Sequence, residues 1–246
     1  MSEPSRVLVN GAAGRMGRLA VDVVNGADDL VLAGETDAGD DLAGAIASSG
    51  AGVVVDFTHH SVAMDCFRAI VLAGARPVAG TSGFGPDEVE EARRLLEEAG
   101  TGGLIIPNFC VGVVLMMEFA RAAAAHFPHV EIVETHHDRK GDAPSGTAER
   151  TAQIIAEVRG DPPAPRVEET ERVEGARGGR VDGVPVHSLR LPGALAHQEV
   201  LFSATGEIFT LRHDSLSRDS FRTGILLAVR HAPEARGLVH GLDDLL

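Results

Sequence analysis

The sequence predicts an α/β protein in two parts: a doubly wound parallel sheet, then an α+β region with an open, largely antiparallel sheet. Three observations predict it. Short apolar runs alternate with helical patterns through residues 6–106, as buried parallel strands and their crossover helices do. A glycine-rich turn, Gly11-Ala12-Ala13-Gly14-Arg15-Met16-Gly17, stands between the first run and the first helix, the order of a Rossmann-like unit. Beyond residue 185 the pattern changes to the alternation of antiparallel strands.

Residues 6–10 (RVLVN) read as the first buried strand. The turn that follows has GxxGxxG spacing, which alone is a weak signature that a ligand-free turn could share. Its use would be to bring backbone N–H groups against a pyrophosphate at the start of a helix over 19–24. Residues 30–35 (LVLAGE) form a second strand, and an acidic residue at its end can accept hydrogen bonds from an adenosine ribose. Asp37 is the first choice and Glu35 the next. Ala38, Gly39, Asp40 and Asp41 offer no cation for a 2′-phosphate, so NADH is expected over NADPH, with Arg15 or Arg18 able to reverse that preference.

Residues 52–57 are a third strand, and Thr58-His59-His60-Ser61 opens a helix over 62–73. His59 and His60 are adjacent, face different ways on a regular element and have no ligand at helical spacing, so no metal site is expected. After strand 76–79, the small turn Gly80-Thr81-Ser82-Gly83 can approach a flat ring closely. The helix over 87–99 carries a solvated charged face, and strand 103–106 ends at Pro107-Asn108-Phe109. A ligand is expected along the edge where these strands end.

An apolar helix over 111–126 and a strand over 130–135 lead to the stretch ETHHDRKGDAPSGTA, residues 134–148. Here His136, His137, Arg139 and Lys140 precede Ser145-Gly146-Thr147 at the start of a helix over 148–158. Ser145 is a good N-cap, and the first-turn N–H groups have no intrahelical partner, so a carboxylate or phosphate can sit there. His136 is tunable near neutral pH, and Lys140 can donate to developing negative charge. The plainer alternative is a capped, solvated helix start. Residues 160–185, rich in Gly, Pro and charge, read as an extended, partly mobile loop. Strands follow at 186–191, 199–203 and 208–213, with His197 and Gln198 leading into the second. Ser217 would cap a last helix over 221–230, followed by a short tail.

A net charge of −14 argues against nucleic-acid binding, which needs a basic surface. No apolar run reaches the length of a membrane span, and the short polar start gives no signal-peptide pattern. Two cysteines, Cys66 and Cys110, lack metal spacing and suit a reducing cytoplasm, and Cys110 reads as packing more readily than as a nucleophile. The absence of Tyr and Trp excludes any mechanism with a catalytic tyrosine.

With these residues placed, the sequence resembles the 4-hydroxy-tetrahydrodipicolinate (dihydrodipicolinate) reductase family of lysine/diaminopimelate biosynthesis. The matching motifs are GAAGRMG at Gly11, DFTH at Asp56, GTSGF at Gly80, PNF at Pro107, the 134–148 stretch, and RHDSLSRDSF at Arg212. The resemblance implies reduction by NAD(P)H of the cyclic imine made from pyruvate and aspartate semialdehyde, giving tetrahydrodipicolinate. It implies His136 as proton donor and Lys140 as second donor and substrate ligand. His137, Ser145, Gly146 and Thr147 would grip the small dicarboxylate. Gly11, Ala12, Ala13, Gly14, Arg15, Met16, Asp37, Gly80, Thr81, Ser82, Ile106, Pro107, Asn108 and Phe109 would line the cofactor. It further implies a dinucleotide-binding domain of residues 1–108 and 218–246, a substrate and tetramerisation domain of 109–217, and a homotetramer. Ser82 and Cys110 are conservative departures from the family pattern. Two other readings compete: a nicotinamide-dependent reductase of another small carboxylate, and a nicotinamide-binding regulator without turnover. Retention of both His136 and Lys140 argues against the regulator.

Overall fold

The structure is a computed structural model that describes residues 3–81, 83–161, 164, 168 and 170–246. The chain forms two compact units, Met1–Val111 with Arg218–Leu246, and Gly112–Ser217.

The first unit runs β1 (Ser5–Asn10), α1 (Arg15–Asn25), β2 (Leu30–Thr36), α2 (Leu42–Ser49), β3 (Val53–Asp56), α3 (His60–Leu72), β4 (Arg76–Ala79), α4 (Pro86–Glu98) and β5 (Gly102–Ile105). Helix α5 (Val111–Ala124) then leads to the second unit: β6 (His129–His136), α6 (Gly146–Arg159), β7 (Gly179–Val181), β8 (Val184–Arg190), β9 (Ala196–Ala204) and β10 (Glu207–Ser215). The chain returns to the first unit through a 3₁₀ turn (Arg218–Phe221), α7 (Arg222–His231) and β11 (Gly237–His240).

The first sheet has the order β11-β5-β4-β3-β1-β2, with every pairing parallel. Val7, Leu8, Val9, Val54 and Val55 have no exposed surface, as a sheet covered on both faces requires. Strand order reverses at β1: β2 lies on one side and β3 on the other. That is the switch point where open α/β sheets bind ligands, beyond the strands' C-terminal ends.

The second sheet has the order β10-β9-β6-β8-β7. Its pairings are antiparallel except β6 with β8, which is parallel. Alternation along β6 buries Val130, Ile132 and Glu134 on one face, while His129, Glu131, Val133 and Thr135 are only half-buried on the other. Phe127 packs against Phe202 of β9 and Phe209 of β10, with the three ring centroids 5.8–6.3 Å apart.

Several expectations are corrected. Helix α1 begins at Arg15, ahead of 19, because Gly14 is already extended backbone at the N-cap position. Helix α2 was not foreseen. Part of the 160–185 loop lies outside the described residues, but its end is a hairpin: β7 pairs with β8 across Asp182-Gly183. Both turn residues have positive φ, 46° and 79°, the requirement of a type I′ turn. The last helix is not capped by Ser217; its N-cap is Phe221, after the 3₁₀ turn. The short tail contains β11, which adds a sixth strand against β5.

Candidate active site

On the first unit, the turns singled out from sequence gather at the strands' C-terminal ends. The sheet ladder extends one residue past the strands: Phe57 N–H donates to Asn10 (2.9 Å), Gly80 to Asp56 (2.8 Å) and Ile106 to Ala79 (2.8 Å). Gly11 has φ +77°, and a Cβ there would lie 2.7 Å from the Phe57 carbonyl oxygen. A Cβ on Gly17 would lie 2.0 Å from the Gly11 oxygen, so the turn folds back on its own helix only if that residue is glycine. A Cβ on Gly80 would lie 2.2 Å from the Phe57 ring, which itself packs on Phe109 at 5.4 Å.

Ala12 lies buried under the turn, whereas Ala13, Gly14 and Arg15 are exposed and Met16 is half-buried. No side chain caps α1, leaving first-turn N–H groups for an anion. The Asp37 carboxylate accepts from Ala13 N–H at 2.6 Å, joining the β2 end to the glycine turn. Thr81, Ile106 and Phe109 are buried, Gly80 and Asn108 half-buried and Pro107 exposed. Ser82 lies outside the described residues. This glycine cradle, open helix start and carboxylate suit a dinucleotide.

A buried polar chain lies beneath the turns. Thr36 Oγ1 donates to Asn10 Oδ1 (2.9 Å), Asn10 Nδ2 to Asp56 Oδ1 (2.7 Å) and Thr58 Oγ1 to Asp56 Oδ2 (3.0 Å). Burial pushes the Asp56 carboxyl up to about 6, although hydrogen bonds from Thr58, Asn10 and Thr81 pull the other way.

On the second unit, β6 carries His136 to its last position and α6 starts at Gly146. The Ser145 hydroxyl accepts from Ala148 N–H (3.2 Å), leaving the Gly146 and Thr147 N–H groups without an intrahelical acceptor. His137 Nδ1 is buried with no hydrogen-bond partner among the described residues. Lys140 Nζ is 2.7 Å from the exposed Asp142 carboxylate, which it holds below the usual carboxylate range. Arg139 is exposed.

Glu134, Arg190 and Asp142 were not foreseen. Glu134 is fully buried (0% exposed) and accepts from His136 Nδ1 at 2.5 Å. The Arg190 guanidinium grips it through both terminal nitrogens, at 2.9 and 3.0 Å. Burial raises the Glu134 carboxyl, but hydrogen bonds from Arg190, Ser188 and His136 outweigh it and hold the group below its ordinary value. Burial also lowers His136; Glu134 opposes this, while Lys140 and Arg190 add to it. His136 and Lys140 thus share one end of the sheet with the α6 N-terminus, a set able to bind carboxylates and deliver a proton. Among the described residues no cluster of metal-ligating side chains occurs, and no helix is long and apolar enough to cross a membrane.

Comparison with known proteins gives matches along both units. Residues 5–109 match the family model of the dihydrodipicolinate reductase N-terminus, and residues 112–246 that of its C-terminus. The 4-hydroxy-tetrahydrodipicolinate reductase of Mycolicibacterium gilvum is 50% identical over 243 residues, covering 98% of each chain. That of Gloeothece citriformis is 41% identical over 271 aligned positions, covering 99% of this chain and 98% of the relative. The dipicolinate-bound dihydrodipicolinate reductase of Paenisporosarcina sp. TG-14 superposes with a TM-score of 0.91 at 38% identity, covering 99% of this chain and 100% of that one. With matches running through both units, this chain belongs to the dihydrodipicolinate reductase family.

Proposed function

We propose that this chain reduces the cyclic imine derived from pyruvate and aspartate semialdehyde (4-hydroxy-tetrahydrodipicolinate or dihydrodipicolinate) to tetrahydrodipicolinate with NAD(P)H, in lysine/diaminopimelate biosynthesis. The observation that carries it is the convergence of His136, Lys140 and the open first turn of α6 within one family-matched unit. Two carboxylates on a small ring need two anion sites. Gly146 and Thr147 N–H groups behind the Ser145 cap suit one; Lys140, with His137, suits the other. Reduction leaves an enamine-like product that must take a proton on carbon, and His136 delivers it, with Lys140 the second donor.

Gly11, Ala12, Ala13, Gly14, Arg15 and Met16 would hold the dinucleotide phosphates, while Gly80, Thr81, Ser82 and residues 106–109 would line its nicotinamide side. When bound, the cofactor supplies the hydride. Asp37 favours NADH, since an anion beside Ala13, with Asp40 and Asp41 following, would repel a 2′-phosphate. The first unit serves as dinucleotide domain and the second as substrate and tetramer domain. The half-open sheet face of the second unit supports a homotetramer, with Leu189 and Leu191 44% and 51% exposed. A cytoplasmic setting agrees with two free cysteines, Cys66 and Cys110.

A coupled assay tests this reading. The imine is generated in place from pyruvate and aspartate semialdehyde, and loss of NADH and of NADPH is followed in parallel. Loss that depends on the condensation enzyme is the expected result; binding of both nucleotides without turnover would overturn the reading. Asp37→Ala should weaken NADH binding and relax discrimination against NADPH, and an unchanged preference would move that role to Arg15 or Arg18.

A further inference from the structure

We propose that the Glu134–Arg190 pair, a buried carboxylate held by a half-buried guanidinium, is the positioning device of this site: Glu134 fixes His136 in the tautomer with hydrogen on Nδ1, making Nε2 the atom that carries the transferable proton, while Arg190 clamps Glu134 and the backbone bearing Lys140. The catalytic half of this proposal rests on the assignment of His136 as proton donor.

The geometry leaves little freedom. A carboxylate has no hydrogen to give, so the 2.5 Å contact between Glu134 Oε2 and His136 Nδ1 requires Nδ1 to be the donor. A neutral imidazole has one N–H; with it committed to Glu134, Nε2 is bare. Nε2 makes no hydrogen bond among the described residues, so it is the nitrogen able to take up a proton and pass it on.

Glu134 could not do this alone. A buried carboxylate with a histidine as its single partner would hold the imidazolium and oppose release of its proton. Arg190 satisfies both carboxylate oxygens in a two-pronged grip and cancels the charge. The same guanidinium donates to the Lys140 carbonyl through Nε (3.2 Å) and to the Asp142 carbonyl through Nη2 (2.6 Å). Glu134 Oε1 also accepts from Ser145 N–H (3.2 Å), the residue that caps α6. One ion pair therefore touches all three parts of the proposed machinery: the His136 ring, the Lys140 turn and the helix start. The charged groups acting on the ring are Glu134, Lys140 and Arg190, and Lys140 is in turn paired with Asp142.

The test combines nitrogen NMR with kinetics. In protein labelled with ¹⁵N-histidine, the His136 signals are assigned by their loss in His136→Asn. Neutral His136 in the unaltered protein should show a protonated Nδ1 and a bare Nε2; a bare Nδ1 overturns the positioning role, and this reading needs no variant of Glu134 to fold. Glu134→Gln should remove the tautomer preference and lower kcat about a hundredfold or more, with nucleotide Kd unchanged. Introduced on top of His136→Asn, the same change should cost nothing further, since residues acting as a unit are not additive. A merely structural role would give the full loss again in that background and overturn the proposal. Arg190→Gln should shift the kcat/KM pH inflection upward and Glu134→Gln downward; shifts of the same sign overturn the electrostatic division between the pair. Full turnover by His136→Asn overturns the donor assignment itself, whereas a bare Nδ1 with an inactive His136→Asn overturns the positioning alone.

Discussion

Among the described residues, each unit buries one carboxylate beside its site, and the two behave in opposite ways. Asp56, at the end of β3, is 1% exposed and is met by neutral donors from Asn10, Thr58 and Thr81. Its carboxyl rises to about 6. Glu134, in β6, is equally buried, yet the Arg190 guanidinium keeps it below its ordinary value. Burial penalises charge in both, and neutral hydrogen bonds reduce that penalty without removing it. A fixed cation reverses it. The first unit thus surrounds its buried carboxylate with neutral donors, while the second sets a cation against its own and keeps a charged pair beside His136.

The largest effect expected from breaking this division falls in the second unit. His136→Ala and Lys140→Ala should each lower turnover by roughly a hundred to ten thousand-fold, with nucleotide Kd unchanged by calorimetry. A matching loss of nucleotide affinity would show that the two units do not divide the work. Gly17→Ala attacks the other side. Its new Cβ meets the Gly11 oxygen at 2.0 Å, so nucleotide affinity should weaken and stability fall by about 1–3 kcal/mol, read from denaturant melts.

A pH series sharpens the contrast between the carboxylates. Asp56 is raised from 3.8 to about 6, so its favourable contribution is complete below pH 3.8 and lost as pH rises to about 6, a cost of about 3 kcal/mol. Glu134 is lowered, so its contribution is present above its ordinary pKa of 4.5 and lost as pH falls through the lowered value. Urea melts of Asp56→Asn and Glu134→Gln against the unaltered protein should give stability differences of opposite slope with pH; parallel slopes would refute the contrast. The smallest effect is expected from Asp142→Ala. That residue competes for Lys140 but is exposed, and surface pairs are worth about 0–1 kcal/mol, so KM should fall by no more than about fivefold.

The two regions also differed in how far the sequence revealed them. The parallel sheet was legible because its strands are continuous apolar runs and its turns are marked by glycine. Helix α2 escaped because LAGAIASS is built mainly from Ala, Gly and Ser, and its apolar stripe is only Leu42, Ala45 and Ile46. Its signal was Asp41, whose carboxylate caps it by accepting from Gly44 N–H (3.0 Å). Asp182-Gly183 marked the β7–β8 hairpin, hidden in a charged, glycine-rich stretch. In the second unit, His136, Lys140 and Ser145 stood out as a local cluster, whereas the Glu134–Arg190 pair spans 56 residues and leaves no local pattern. Alternation did hold a clue: Glu134 is in phase with the buried Val130 and Ile132, a position where a charge demands a partner.

The parallel pairing of β11 with β5 has a consequence for synthesis on the ribosome. Residues 112–217 have all been made, and can begin to collapse as a unit, while the last strand of the other sheet is still to be translated. Until Gly237–His240 emerges, β5 presents an uncovered row of N–H and C=O groups, the kind of edge on which nascent chains stick to one another. A premature stop just before Gly237 would spare both functional clusters and still leave that sticky edge in every molecule made.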